Sequence, residues 1–144
     1  NQPAFLARRS SDVNNISTAT SNTIVFDTET FDQGGDFNNS TGVFTAPVTG
    51  KYQLNVHVYV QQLPTDTSYF YIQLNTSNNA ILDIVDPEAF DAEMTYYTFS
   101  INILADMDAS DTASVIVYQQ GGTAQVDIDG SNENNTSFSG FLAC

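Results

Sequence analysis

Residues 26–60 read FDTETFDQGGDFNNSTGVFTAPVTGKYQLNVHVYV, and this stretch decides the fold. Every second residue from Tyr52 to Val60 is aromatic or aliphatic, and the residues between them are mostly polar. This period of two predicts a long strand that buries one of its faces. Two clusters of turn residues, 39–42 and 47–50, bracket the short apolar piece 43–46 that precedes the strand.

The same alternation recurs along the chain, between turn signals spaced about ten residues apart. It predicts strands at 3–9, 23–26, 43–46, 52–60, 68–76, 80–85, 95–104, 113–119, 125–128 and 137–142, with one further short edge strand near Ile16. The polar segments 27–39 and 105–111 are predicted to be loops. No segment repeats apolar residues at helical spacing between capping residues, so we predict no helix. Many short strands and no helix indicate an antiparallel sandwich or jelly roll.

The inward positions of these strands predict the hydrophobic core. The predicted core residues are Phe26, Phe44, Tyr52, Leu54, Val56, Phe70, Ile72, Phe99, Ile101, Val115, Val117 and Phe138. Phe31 and Phe37 interrupt the polar segment 27–39, and we expect both rings to pin that loop to the core.

The charge of the chain excludes two classes of partner. Its 17 acidic residues against 3 basic ones give a net charge of -14. Nucleic acid is excluded because phosphate contacts require clustered Lys and Arg. An anionic membrane surface is excluded for the same reason. The acidic surface favours solubility, and it can attract cations or basic partners.

Length and cysteine content constrain how the chain is held together. A chain of 144 residues is one domain by length. Its one cysteine, Cys144, cannot form an intrachain disulfide. No apolar run approaches the roughly 18 residues of a membrane-spanning helix, so membrane insertion is not expected.

The run STGVFTAPVTGKY at 40–52 resembles the central signature of the C1q family. The residues at the family's spacings are Phe26, Asp32, Phe37, Phe44, Gly50 and Tyr52. Residues 4–8 and 137–142 resemble the family's first and last strands, whereas Leu54 and Val56 replace residues that are usually aromatic. The resemblance implies a ten-stranded antiparallel jelly-roll sandwich, similar to the heads of C1q and tumour necrosis factor. It also implies that residues 1–144 form a single head domain at the C-terminal end of a longer chain.

The resemblance further implies a compact homotrimer with three-fold symmetry. The sequence offers a surface for it, since Tyr59, Tyr69, Tyr71 and Tyr96 all lie opposite the core positions of their strands. We expect these four tyrosines to form one second face at the trimer interface, where Tyr is enriched.

Several members of the family bind calcium near the top of the trimer, and the corresponding loop here is 82–94. The resemblance makes Asp83, Asp86 and Asp91 the best metal candidates, and we expect them to lie in one loop. Two further acidic clusters, at 106–111 and at 127–133 with Glu133, also permit calcium, which takes six to eight oxygen ligands from flexible loops. The alternative is that these acids are solvated and never converge. A melting temperature that falls with EDTA and recovers with calcium would distinguish the two.

For function, we expect a non-enzymatic homotrimeric recognition or adhesion head that binds a protein or glycan ligand. Such a head would be extracellular or surface-displayed, as at the tip of a microbial or viral stalk or fibre. The alternative is a structural trimerisation module of a fibre that has no ligand of its own. An enzyme is the third choice, because His57 is the one histidine and no G-x-S-x-G nucleophile motif accompanies it.

Overall fold

The computed structural model describes residues 2–131 and 136–144, which leaves Glu133 outside the described residues. Twelve strands form within these ranges. They are β1 (Ala4–Arg8), β2 (Asn22–Thr23), β3 (Thr28–Gln33), β4 (Phe37–Asn38), β5 (Val43–Thr45), β6 (Gly50–Leu63), β7 (Thr67–Thr76), β8 (Ala80–Val85), β9 (Met94–Met107), β10 (Thr112–Gly121), β11 (Asp127–Ile128) and β12 (Ser137–Leu142). One 3-10 helical turn, Pro87–Ala89, joins β8 to β9, and the described residues contain no α-helix.

The first sheet, sheet A, is built on the long strand that the sequence predicts. β6 pairs along its whole length with β9 on one edge, from Gly50 opposite Met107 to Leu63 opposite Met94. Its other edge pairs with β12 and then with β11. The sheet continues from β12 to β1 and from β1 to β3, and every pairing is antiparallel.

The second sheet, sheet B, is built on β10. One edge of β10 pairs with β7, which in turn pairs with β8. The other edge pairs with β5 and β2, and β5 pairs with β4. The two sheets pack face to face in the jelly-roll arrangement that the sequence predicts, with the edge strands β8 and β9 on the same side of the sandwich.

The core between the sheets confirms the predicted inward positions, because all twelve predicted core residues are buried. At one end of it, the rings of Phe37 and Phe44 stack on either side of Phe5, and Phe138 meets Phe5 edge to face at 5.0 Å. Such offset and edge-to-face pairs are the favourable arrangements for aromatic rings. The core therefore packs together side chains from strands that are far apart in the sequence.

The prediction of a loop at 27–39 is wrong. β3 and β4 lie within this segment, and β3 pairs only with β1 at the edge of sheet A. An edge strand that buries little of either face shows no alternation, so its sequence does not differ from that of a loop. The two rings of the segment also behave differently, since Phe37 is buried and Phe31 is exposed.

Two other predicted boundaries differ from the structure. β9 extends to Met107, into the predicted loop at 105–111, because Ala105 and Met107 still face the core. The strand predicted at 23–26 is reduced to Asn22–Thr23. Ile24 and Phe26 are nevertheless buried, and the Ile24 amide donates to the Val115 carbonyl at 2.9 Å. β3 and β4, which lie in the segment predicted to be a loop, raise the number of strands from ten to twelve.

Candidate functional site

The four tyrosines predicted to form one face lie on two different sheets. Tyr59 and Tyr96 are on β6 and β9, on the outer face of sheet A. Tyr69 and Tyr71 are on β7, on the outer face of sheet B. The expectation of a single second face is therefore wrong. Alternation identifies the side of a strand that points away from the core, but it does not identify the sheet that the strand joins.

The outer face of sheet A carries exposed apolar side chains in neighbouring rows. Phe141 and Leu104 lie on either side of Gln53 in the register of β12, β6 and β9, and both side chains are exposed. Tyr59 and Tyr96 stack with ring centroids 5.7 Å apart at an interplanar angle of 14°. Exposed apolar groups collected on one face of a sheet are typical of a protein interaction surface.

The outer face of sheet B carries a triangle of tyrosine rings that the sequence analysis missed. Tyr71 lies opposite Tyr118 of β10, and Tyr69 lies opposite Gln120. The three ring centroids are 5.3 Å, 6.0 Å and 6.3 Å apart, and the rings are parallel within 6° to 13°. The inward prediction of Val115 and Val117 already implied that Tyr118 faces outward. That Tyr118 lies opposite Tyr71 follows only from the register of β10 and β7.

Charge is distributed very unevenly between the two sheets. The strands of sheet B contain a single charged residue, Asp83, on β8. The strands of sheet A contain Arg8, Glu29, Asp32, Lys51, Asp106 and Asp127. Because the side chain of Asp83 lies on the same side of β8 as Ile81 and Val85, the outer face of sheet B has no charged strand residue. This is unusual in a chain of net charge -14.

The structure separates the three calcium candidates into different roles. Asp83 belongs to β8 rather than to a loop, and its Oδ2 accepts a hydrogen bond from the Ser100 amide of β9 at 3.0 Å. Asp86 caps the 3-10 turn by accepting from the Glu88 amide at 3.0 Å, and Asp91 lies exposed beyond that turn. The expectation that all three lie in one loop is therefore wrong. Among residues 2–131 and 136–144, no three His, Cys, Asp or Glu side chains of one chain are grouped to hold a metal ion.

A cleft of about 430 Å³ is lined by residues 13–17 and 22–25 together with Arg9, Val117 and Ile128. Arg9 is its charged lining residue, and this side chain is already committed to structure. Its Nη1 donates to the Val25 carbonyl at 2.7 Å and lies 3.8 Å from the Asp27 carboxylate. The pKa of Asp27 is lowered although burial opposes this, because the Ser10 hydroxyl and amide donate to its carboxylate and Arg9 is close. These contacts indicate a structural anchor for the N-terminal segment.

His57 lies exposed on the outer face of sheet A, in the row that contains Ser100 and Ser137.

The described part of the chain contains no helix that is long and apolar enough to cross a membrane.

Comparisons with known proteins agree with this geometry. The C1q domain family matches residues 4–143. The fold is similar to the globular domain of zebrafish complement 1qA protein, with a TM-score of 0.70 and 17% identity over 100% of this chain and 98% of the other. Murine APRIL is similar with a TM-score of 0.68 and 11% identity over 99% of both chains. Eiger TNF from S. frugiperda is similar with a TM-score of 0.61 and 12% identity over 99% of this chain and 93% of the other.

Proposed function

Because the chain belongs to the C1q domain family, we propose that it is a non-enzymatic head that assembles as a homotrimer and recognises a protein or glycan ligand. The observation that carries the proposal is the family match over residues 4–143, in a fold that leaves two apolar outer faces exposed. We place the head outside the cell or on the surface of a particle.

We propose the outer face of sheet A as the main surface of the trimer. Phe31, Leu104 and Phe141 are exposed on it, as is Tyr96 beside Tyr59. Homomeric interfaces are more apolar than the remaining protein surface and are enriched in aromatic residues. In a ring with three-fold symmetry each copy contributes two different patches, so this face would pack against another part of its neighbour. Tyr69 and Tyr71 then remain on sheet B, away from this surface.

Sedimentation or light scattering tests the assembly. We expect a particle of about three times 15.7 kDa. Leu104→Asp places a charge on the proposed interface and should yield the monomer. Ile84→Asp on sheet B is the matched control, since Leu104 is 60% exposed and Ile84 is 57% exposed. A wild-type monomer, or equal dissociation by both variants, would contradict this interface.

A structural trimerisation module is the second candidate, because the same apolar face would serve it. The two functions differ in whether the trimer binds anything. A screen of the intact trimer against glycan and receptor arrays distinguishes them, and a trimer that retains no ligand supports the structural role.

Hydrolase assays with His57→Ala as the control test the enzymatic alternative, for which we expect no turnover.

A further inference from the structure

We propose that the outer face of sheet B is a binding site for a neutral oligosaccharide, with Tyr69, Tyr71 and Tyr118 as its stacking platform. This inference rests on the proposed recognition function and names the chemical class of its ligand. It begins with the arrangement of the rings. If the three rings formed a linear stack, the centroids of its two outer rings would be separated by about the sum of the two shorter distances, 5.3 Å and 6.0 Å. The longest distance here is only 6.3 Å, so the three parallel rings form a compact triangular cluster, in which the Tyr71 and Tyr118 rings overlap in an offset stack.

The exposed Tyr69 ring of this cluster can contact the apolar face of a sugar ring. The C–H bonds on one face of a pyranose carry partial positive charge, and the face of an aromatic ring is negative. Tyr69 is exposed, while Tyr71 and Tyr118 are half-buried. The platform is therefore both accessible and held by its neighbours, which lowers the entropy lost when a ligand is bound.

Charge disfavours an anionic ligand. No charged strand residue lies on this face, so an anionic sugar would find no opposite charge there and would be repelled by a protein of net charge -14. Burial, together with the neighbouring Tyr118 and Tyr69, raises the pKa of Tyr71, so its phenol stays neutral at physiological pH. A neutral sugar chain carries no charge that has to be removed from water, so its binding requires no ion pair.

Amide side chains lie at both ends of the ring cluster along β7 and β10, and the exposed Ile84 and Leu82 of β8 lie beside it. The face thus offers both apolar and hydrogen-bonding groups, as a sugar with apolar faces and hydroxyl groups requires. The Tyr118 hydroxyl donates to Gln120 Oε1 at 2.9 Å on one side of the patch. On the other side Gln73 donates to Asn75, in the next rows of β7. Amides offer both donors and acceptors, which sugar hydroxyls can satisfy. A dry protein contact, including one with a second copy of this chain, would leave the remaining amide groups unpaired at a cost.

The test is calorimetric titration of the full chain with defined neutral hexasaccharides. The probes are the hexamers of glucose in its cellulose and starch linkages, of xylose, of mannose and of N-acetylglucosamine. Hexasaccharides from heparin and polygalacturonic acid serve as charged comparators. We expect at least one neutral hexamer to bind with a millimolar or lower Kd and the charged hexamers not to bind. Tyr69→Ala and Tyr118→Ala should each weaken binding about tenfold.

Tyr96→Ala is the matched control, because it removes one ring of a stacked pair on the opposite sheet. It should leave the affinity for the sugar unchanged, and an unchanged thermal melt of each variant shows that its fold is intact. If neutral hexamers fail at millimolar concentration, or if Tyr96→Ala weakens binding as much as Tyr69→Ala, the inference is wrong.

The same variants separate this inference from the proposed function. A trimer that binds a ligand on the arrays but binds no neutral hexamer keeps its recognition function and disproves the sugar site on sheet B. A monomer that still binds a neutral hexamer through Tyr69 supports the sugar site and contradicts the trimeric head.

Discussion

At the scale of the residue, Tyr52 joins the core to a turn. Its ring is fully buried against Phe44, and its hydroxyl donates to the Val48 carbonyl at 2.7 Å. The side chain thereby links the start of β6 to the turn at 47–50. The resemblance to the C1q signature points to this position, and the structure shows what the hydroxyl contributes.

Tyr52→Phe keeps the ring and removes this hydrogen bond. We expect the free energy of unfolding to fall by about 1 kcal/mol. Urea unfolding of the two proteins measures the difference, with Tyr69→Phe on the exposed outer face of sheet B as the control. A change of equal size in both variants would show that the bond to Val48 contributes nothing specific.

Tyr52 also predicts how stability depends on alkaline pH. Burial raises the pKa of Tyr52 above its ordinary value, and that of Tyr71 shifts in the same direction. The unfolded chain therefore loses these protons first, near pH 10. The stabilisation is complete below that pH and is lost as the pH rises through the folded-state pKa. Stability of the wild type should fall more steeply above about pH 10 than that of Tyr52→Phe, in which Tyr71 still contributes. Equal slopes would contradict the assignment.

Gln119 is a fully buried polar residue that secures the segment after β10. Its Nε2 donates to the Ala124 carbonyl at 2.8 Å, and its Oε1 accepts from the Val126 amide at 3.0 Å. A buried amide at this position was not predicted, because its place in the alternation of β10 indicates an apolar side chain.

Gln119→Leu retains the volume but leaves the buried amide of Val126 and the part-buried carbonyl of Ala124 without this partner. We expect a loss of about 2 kcal/mol in the free energy of unfolding. The neighbouring Gln120→Leu faces outward and should change it by less than about 0.5 kcal/mol. Chemical denaturation measures both, and similar losses in the two variants would show that the buried bonds do not matter.

At the scale of the element, β8 and β9 form the open side of the sandwich. Each pairs with one neighbour only, β7 and β6 respectively. The hydrogen bond from the Ser100 amide to Asp83 connects the two edges across the gap between the sheets. Asp83 thus uses one of the backbone donors that an edge strand otherwise leaves unpaired.

Asp83→Ala should release this edge, whereas Asp83→Asn keeps an oxygen that can accept the bond. We expect faster amide hydrogen exchange at Ser100 and a loss of about 1 kcal/mol for the alanine variant. The asparagine variant should retain most of the protection. Unchanged exchange at Ser100 in the alanine variant would show that the bond does not hold the edge.

At the scale of the whole molecule, assembly brings like charges together. Three copies of a chain of net charge -14 repel one another, and this repulsion is weaker when salt screens it. Calcium between copies would relieve it further. Because the described residues of one chain provide no group of metal ligands, a calcium site at 82–94 requires loops from more than one copy.

We therefore keep calcium as a prediction that depends on the trimer. EDTA should lower the melting temperature and millimolar calcium should restore it, because a ligand bound only to the folded assembly stabilises that assembly. Asp91→Asn, at an exposed position, should reduce the response, and the monomeric Leu104→Asp variant should show none. Identical melts with EDTA and with calcium, at one ionic strength, would exclude the metal site.

Much of the fold could be predicted because its cause is local. The alternation in β6, β7 and β10 places each side chain inward or outward, and burial then follows from hydrophobicity. The turn at 39–42 is equally local, since Gly42 adopts a φ of 76° that favours glycine. Strand β3 could not be predicted, because an edge strand is held by backbone pairing with β1 and buries little.

By itself, the sequence determined the class of fold, the family resemblance and the buried face of each long strand, since all three depend on spacing along the chain. Only the tertiary structure decided which outward side chains share a surface. β6 and β7 follow each other closely, yet they belong to opposite sheets, so Tyr59 is separated from Tyr69 and Tyr71. Tyr118 joins these two from a distant strand. The physical reason is that strand pairing and register are set by long-range contacts in the core, which no local pattern encodes.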